Sequence, residues 1–188
     1  MDGRDVDRAL TESLAVLVGR EDDDWSVRAG PLVWTCREAA EHIAHDLVAY
    51  AGQLAARPRE GYLPFDLVVR PGAPVSELLQ VVRAGGGLLT GALALAGPEA
   101  RAWHWGPCDP SGFAAMGTAE ILLHTWDITR GLRVDWHLPA PLAKGVLARL
   151  FPDAPGGDPA EVLLWCTGRA ALAGRARRTS WTWQASLG

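Results

Sequence analysis

Apolar residues recur at intervals of three and four along four long segments of the chain, and this spacing is typical of helices that bury one face. The four segments lie at about 4–19, 35–57, 74–97 and 111–131. Thr35 followed by Glu38 has the pattern of a capping box, Pro58 follows the second segment, and Gly131 closes the fourth. Four helices of this length predict a four-helix bundle.

The remainder of the chain carries two weaker helical patterns, at about 140–151 and 159–172, and a final alternating segment around Trp181–Trp183 that we expect to be extended. No internal repeat and no long linker interrupts the sequence. We therefore predict an all-α fold in a single domain. The bundle occupies about 4–131, and a short helical C-terminal extension occupies about 132–188.

Two connections and one helix carry unusual residues. Gly85–Gly87 lies inside the third helix, where each glycine costs roughly 1 kcal/mol relative to alanine, so it predicts a break or a close neighbour. The loop around Trp103–Trp105 is expected to rim an apolar pocket or to cap the bundle. Leu67–Val69, in the connection between the second and third helices, is expected to be a short strand-like piece.

The net charge and the hydropathy of the chain argue against several classes of function. The net charge of −4 argues against nucleic acid or an anionic membrane as partner, and the basic cluster at 169–178 is interpreted as a solvated tail. The weakly polar stretch 85–98 is too short to span a bilayer, and no secretory signal is visible, so we expect a cytoplasmic protein that acts on a small molecule. Apolar bundle faces would also allow a homodimer.

The three cysteines form no CxxC pair, so neither a disulfide framework nor a thiolate zinc site is predicted. Cys36 and Cys166 fall in apolar helical patterns and are expected to be small core residues. Cys108 lies in the tryptophan-containing loop and is a candidate for a pocket wall.

Glu120 and His124 stand four residues apart in an otherwise apolar helix, so both side chains point to one face. A third donor from a facing helix would complete a divalent-metal site with open positions, because zinc and similar ions accept two imidazoles and one carboxylate. We predict His42, Glu120 and His124 as the ligands. His45, three residues beyond His42, is kept as the alternative ligand or as a group behind it.

Two motifs carry a resemblance to a known family. The segments Trp34–His42 (WTCREAAEH) and Ala119–Asp127 (AEILLHTWD) resemble the DinB-like superfamily and, more closely, the metal-binding domain of mycothiol-dependent maleylpyruvate isomerases. The resemblance extends over about 5–131, and Leu163–Arg169 resembles the stretch that often follows this domain.

The resemblance implies a DinB-like up-down-down-up bundle and a divalent metal, most often zinc, bound by His42, Glu120 and His124. It also implies a low-molecular-weight thiol such as mycothiol as co-substrate, whose sulfur adds to a small electrophile in an isomerisation or an S-transfer. The family's isomerases usually carry a further α/β domain, whereas fewer than sixty residues follow the fourth helix here. That difference argues against maleylpyruvate isomerisation itself.

Candidate acid–base groups near the metal are His45 and Asp127, with His104 as a further one. Arg130 is expected to complement the C-terminal end of its helix rather than to hold an anionic substrate. Two other functions stay open: a metal- or ligand-binding bundle without catalysis, and metal-assisted hydrolysis with water as nucleophile.

Overall fold

A computed structural model describes residues 1–187. The elements in chain order are α1 (Gly3–Leu17), α2 (Cys36–Ala56), α3 (Val75–Leu95), β1 (Ala102–Trp103), β2 (Pro107–Cys108), α4 (Pro110–Gly131), α5 (Ala140–Leu150) and α6 (Pro159–Cys166). In this part of the chain, helices dominate and the two short strands pair as one antiparallel hairpin. The all-α prediction is confirmed.

The first four helices form the bundle, in which α1 and α2 each pack against both α3 and α4. α4 lies at its centre, since nearly every residue from Gly112 to Thr129 is buried. The largest fully buried side chains include Ile43, Leu47, Phe113, Met116, Ile121 and Leu122. Burying each such side chain contributes roughly 1.5–3 kcal/mol, which fixes α2 against α4, the two helices that carry the candidate ligands.

The glycine triplet in α3 serves close packing and does not break the helix. A Cβ at Gly86 would lie 2.6 Å from the Leu10 side chain, and one at Gly85 would lie 3.2 Å from the carbonyl oxygen of Ala44. A side chain at either position would therefore push α3 away from α1 or α2. Gly87 faces open space, so the close approach concerns only the first two glycines.

Local capping explains where α2 and α4 begin. Thr35 and Glu38 form the predicted capping box of α2. α4 starts one residue before the predicted position because Asp109 caps it, accepting a hydrogen bond from the backbone N–H of Gly112, with Pro110 in the first turn. The Asp109 carboxylate also accepts a hydrogen bond from Arg149 at 2.8 Å, which joins α4 to α5.

The structure differs from the sequence prediction in the C-terminal extension and in two connections of the bundle. α6 ends at Cys166 rather than near residue 172, because Gly168 adopts a left-handed conformation with φ +66° and turns the chain back. The turn buries Arg169, so the interpretation of 169–178 as a solvated tail is wrong for this residue. A two-stranded hairpin replaces the predicted irregular loop at 102–108, whereas Leu67–Val69 forms no strand.

α3 is the one helix within residues 1–187 that is long and apolar enough to cross a membrane by length and composition, with a mean hydropathy of 1.5. It packs against α1 and α2, and the core helix of a soluble protein passes the same test.

The three cysteines are buried and free, which confirms Cys36 and Cys166 as core residues and places Cys108 in the core as well.

Candidate metal centre

α2 and α4 bring His42, Glu120 and His124 together. One potential ligand atom from each residue lies within 4.8 Å of the other two. Glu120 Oε2 is 3.6 Å from His42 Nε2 and 3.2 Å from His124 Nε2. Glu120 and His124 share a helix face because they are four residues apart, and His42 faces them from α2.

His45 lies outside this group. Its Nδ1 accepts a hydrogen bond from the backbone N–H of Leu67 at 3.3 Å, and its Nε2 is 3.9 Å from Asp46 Oδ1. The structure therefore brings His42, rather than His45, to the two residues of α4.

Burial and charge act in opposite directions at Glu120, whose side chain is 9% exposed. Burial by itself would raise the pKa of its carboxyl, but hydrogen bonds from His124 and His42 outweigh burial and hold the pKa well below its usual range. Burial by itself would lower the pKa of His124, but the carboxylates of Asp127 and Glu120 raise it by more. The pKa of His124 therefore lies above its usual value. The two shifts favour a charged carboxylate next to a protonated imidazole.

Asp127 stands behind His124 and is fully buried. Its carboxylate accepts hydrogen bonds from Arg169, from Nε at 3.1 Å and from Nη2 at 2.7 Å. Its Oδ2 is also 3.2 Å from His124 Nδ1, although the alignment falls short of a hydrogen bond. An acidic group on Nδ1 keeps Nε2 directed at Glu120, which is the usual way that proteins orient a metal-binding histidine.

Asp46 and Tyr50 complete the inner wall, and the sequence analysis did not single out Asp46. Asp46 Oδ2 is 3.3 Å from His42 Nε2, and the Tyr50 hydroxyl is 3.4 Å from both Asp46 Oδ2 and Glu120 Oε1. Burial and the nearby Glu120 charge raise the pKa of Asp46 to about 7 in the metal-free protein. The signal that could have identified Asp46 was its spacing of one helical turn from His42.

Trp34, the residue just before the α2 cap, covers the imidazoles. Its ring centroid is 4.7 Å from that of His42 and 5.7 Å from that of His124. The indole restricts both rings to their present orientation and leaves part of its own surface exposed. The sequence analysis used Trp34 only as part of a family motif.

A cavity of about 640 Å³ opens onto Glu120 and the two imidazoles. Its outer wall comes from the C-terminal extension, chiefly Arg177, Arg178, Trp181 and Trp183. Glu120 is its only acidic lining residue, whereas three arginines line it, one of which is the Arg169 already paired with Asp127. Sequence reasoning missed this wall, since nothing in the local pattern shows that residues 177–183 fold back over α2 and α4.

A second cavity, of about 280 Å³, lies on the other side of Asp46 and Tyr50 and is lined by His45, Tyr62 and His104. The Nδ1 of His104 is 2.9 Å from the Tyr62 hydroxyl, and its Nε2 accepts a hydrogen bond from the Trp183 indole at 3.3 Å. Burial lowers the pKa of His104 to about 4, so this imidazole is neutral at pH 7.

Size alone does not identify the site. A cavity of about 700 Å³ lies between the end of α5 and the C-terminal segment, but among residues 1–187 its lining contains one carboxylate, that of Asp153, and no histidine. Arg178 and Trp181 contribute to both this cavity and the one over the imidazoles.

The donor set suits a divalent ion. Two imidazole nitrogens and one carboxylate oxygen converge beside an open cavity, as in metal sites that keep a position for substrate. Within residues 1–187, no arginine or lysine forms an ion pair with Glu120, so the partners of this buried carboxylate are imidazoles and a tyrosine. A bound cation would supply the charge that such a group needs in the interior.

Comparison with known proteins gives one match. A family model described as "Mycothiol maleylpyruvate isomerase N-terminal domain" matches residues 6–129. The matched range contains His42, Glu120 and His124 and ends before α5, so the arginine- and tryptophan-bearing wall lies outside it. No curated protein and no solved structure matches the chain.

Proposed function

Because the chain belongs to the mycothiol maleylpyruvate isomerase N-terminal domain family, we propose that it is a metal- and thiol-dependent enzyme that transfers or isomerises a small electrophile. The proposed ligands are His42, Glu120 and His124, the proposed ion is zinc, and the proposed co-substrate is a mycothiol-like thiol. The observation that carries the proposal is the convergence of these three donors at the floor of an open cavity inside the family-matched range.

The metal ion and the protein side chains would have different roles in the reaction. When bound, a divalent cation would favour the thiolate form of a thiol at neutral pH. Asp127 and Arg169 keep the His124 ring oriented, and Trp34 packs against both imidazoles. Arg177 and Arg178 would attract an electrophile that carries an anionic group, because no acidic residue within residues 1–187 forms an ion pair with either.

In the proposed reaction, the thiol gives up its proton and the sulfur forms a C–S bond with one carbon of an electrophilic double bond. In a transferase, the proton adds to the other carbon and the C–S bond is retained. In an isomerase, the adduct rotates about the former double bond, the C–S bond breaks as the double bond forms again, and the proton returns to the sulfur.

The test is a product assay with the metal-loaded protein. Thiols, mycothiol included, are incubated with a panel of anionic and neutral electrophiles, and adducts or isomers are quantified by mass spectrometry. We expect turnover that His124→Ala abolishes and that Asp66→Asn, a change at an exposed position, leaves intact. Equal rates with wild type and His124→Ala would contradict the proposal.

One observation favours a metal- or ligand-binding bundle without catalysis. All three candidate acid–base groups are already engaged, since His45 accepts a hydrogen bond from Leu67, Asp127 accepts from Arg169 and His104 accepts from Trp183. Under this alternative, the protein binds one metal ion per chain but yields no thiol-dependent product with any electrophile of the panel.

A further inference from the structure

Asp46 lies one helical turn after His42 on α2 and occupies an unexpected position. Its Oδ2 is 3.3 Å from His42 Nε2, the same nitrogen that faces Glu120 Oε2 at 3.6 Å. The atom that is proposed to bind the metal therefore lies between two carboxylate oxygens.

A carboxylate that only orients a metal-binding histidine contacts the nitrogen that does not bind the metal. Asp127 has this position, because it faces Nδ1 of His124 while Nε2 faces Glu120. Asp46 does not, because it faces the metal-side nitrogen of its histidine. The two aspartates, both close to a proposed ligand, thus differ in which side of the ring they approach.

The distances agree with a shared coordination sphere. Zinc and similar ions bind nitrogen and oxygen at 2.0–2.2 Å, so neighbouring donor atoms lie roughly 2.8–3.6 Å apart in octahedral to tetrahedral geometry. The three measured separations are 3.3 Å for His42–Asp46, 3.6 Å for His42–Glu120 and 3.2 Å for Glu120–His124.

The charges of Asp46 and Glu120 also support a cation shared between them. The Asp46 side chain is 17% exposed, and the Tyr50 hydroxyl lies between its carboxylate and that of Glu120. Within residues 1–187, only histidines form ion pairs with either carboxylate, and no arginine or lysine does. A buried carboxylate and a partly buried one at this short separation repel each other unless a cation lies between them.

We propose that Asp46 is a fourth protein ligand, so that the centre contains two imidazoles and two carboxylates. This inference rests on the proposed metal site and extends it. Four protein donors would close a tetrahedral ion, so binding of a thiol requires five or six ligands. Ions that readily adopt such geometry, such as Co²⁺, Mn²⁺ and Fe²⁺, then become suitable occupants beside zinc.

The test uses Co²⁺ as probe on the full chain, with its visible absorption and its affinity measured by chelator competition. We expect Asp46→Asn and Asp46→Ala to weaken Co²⁺ binding by more than about 100-fold, beyond the 10–100-fold typical of a group outside the coordination sphere, and to change the absorption spectrum. Asp66→Asn is the matched control, because Asp66 lines the neighbouring cavity but is exposed. Its affinity and spectrum should equal those of wild type.

Thermal unfolding separates loss of a ligand from loss of the fold. Metal-free Asp46→Asn should melt at or above the wild-type temperature, because a repulsive charge is removed, and should gain less stability from Co²⁺. If Asp46→Ala binds Co²⁺ with wild-type affinity and spectrum while His124→Ala does not bind it, the inference is wrong and the three-ligand site stands. If wild type binds no Co²⁺, both are wrong.

Discussion

Two carboxylates on α4, Glu120 and Asp127, are both buried but have different partners. Asp127 receives a two-point interaction from Arg169, so its charge is balanced within the protein. Glu120 faces two imidazoles and a tyrosine, with the Asp46 carboxylate adding a second negative charge nearby.

From this difference in partners we infer a structural ion pair at Asp127 and a candidate metal site at Glu120. A buried pair with complete hydrogen bonding needs nothing further, and removing one partner leaves an uncompensated charge. Imidazoles around a buried carboxylate can release their protons and bind a metal ion in their place, because an imidazole nitrogen binds either a proton or a metal ion. We therefore expect Asp127 to stabilise the fold and to position His124, whereas Glu120 is a proposed metal ligand.

The largest expected effect concerns the structural pair. Asp127→Ala should lower the free energy of unfolding by about 3–5 kcal/mol, because it leaves the Arg169 guanidinium buried without a partner. Urea denaturation of the metal-free protein measures it. The double variant Asp127→Leu/Arg169→Met should recover most of the loss, since an apolar pair leaves no buried charge. A loss below about 1 kcal/mol in the single variant would contradict the assignment.

A smaller effect is expected at the binding site. Zinc at about 100 times its dissociation constant should stabilise the wild type by about 2.7 kcal/mol. Glu120→Gln should remove this gain, because an amide is a poor substitute for the carboxylate ligand. Urea denaturation with and without zinc measures both values. An equal gain in the two proteins would place the ion elsewhere.

The buried His104 extends the comparison, because it forms no ion pair with any residue that the structure describes. The folded pKa of His104 is about 4, below the unfolded value of about 6.5, so protonation favours the unfolded state. Its contribution to stability is complete above about pH 6.5 and is lost as the pH falls towards 4. His104→Gln should therefore flatten the dependence of unfolding free energy on pH in this window. An unchanged slope would show that His104 is not the titrating group.

Helical periodicity was sufficient to predict the bundle, and i, i+4 spacing was sufficient to predict that Glu120 and His124 share a face. The choice of His42 over His45 depended on the apolar register of α2 and on the family motif. The position of Arg169 could not be predicted, because it depends on the left-handed turn at Gly168 and on a contact 42 residues away along the chain. The tryptophan wall is likewise a long-range arrangement, without a local signal in the sequence.

Metal content is the most direct test of the central claim. Inductively coupled plasma mass spectrometry on wild type and His124→Ala, purified side by side from metal-replete medium, compares the complete donor set with one that lacks a ligand. We expect close to one equivalent of divalent metal in the wild type and a nearly complete loss in the variant. Absence of metal from both proteins, or equal content in the two, would contradict the account.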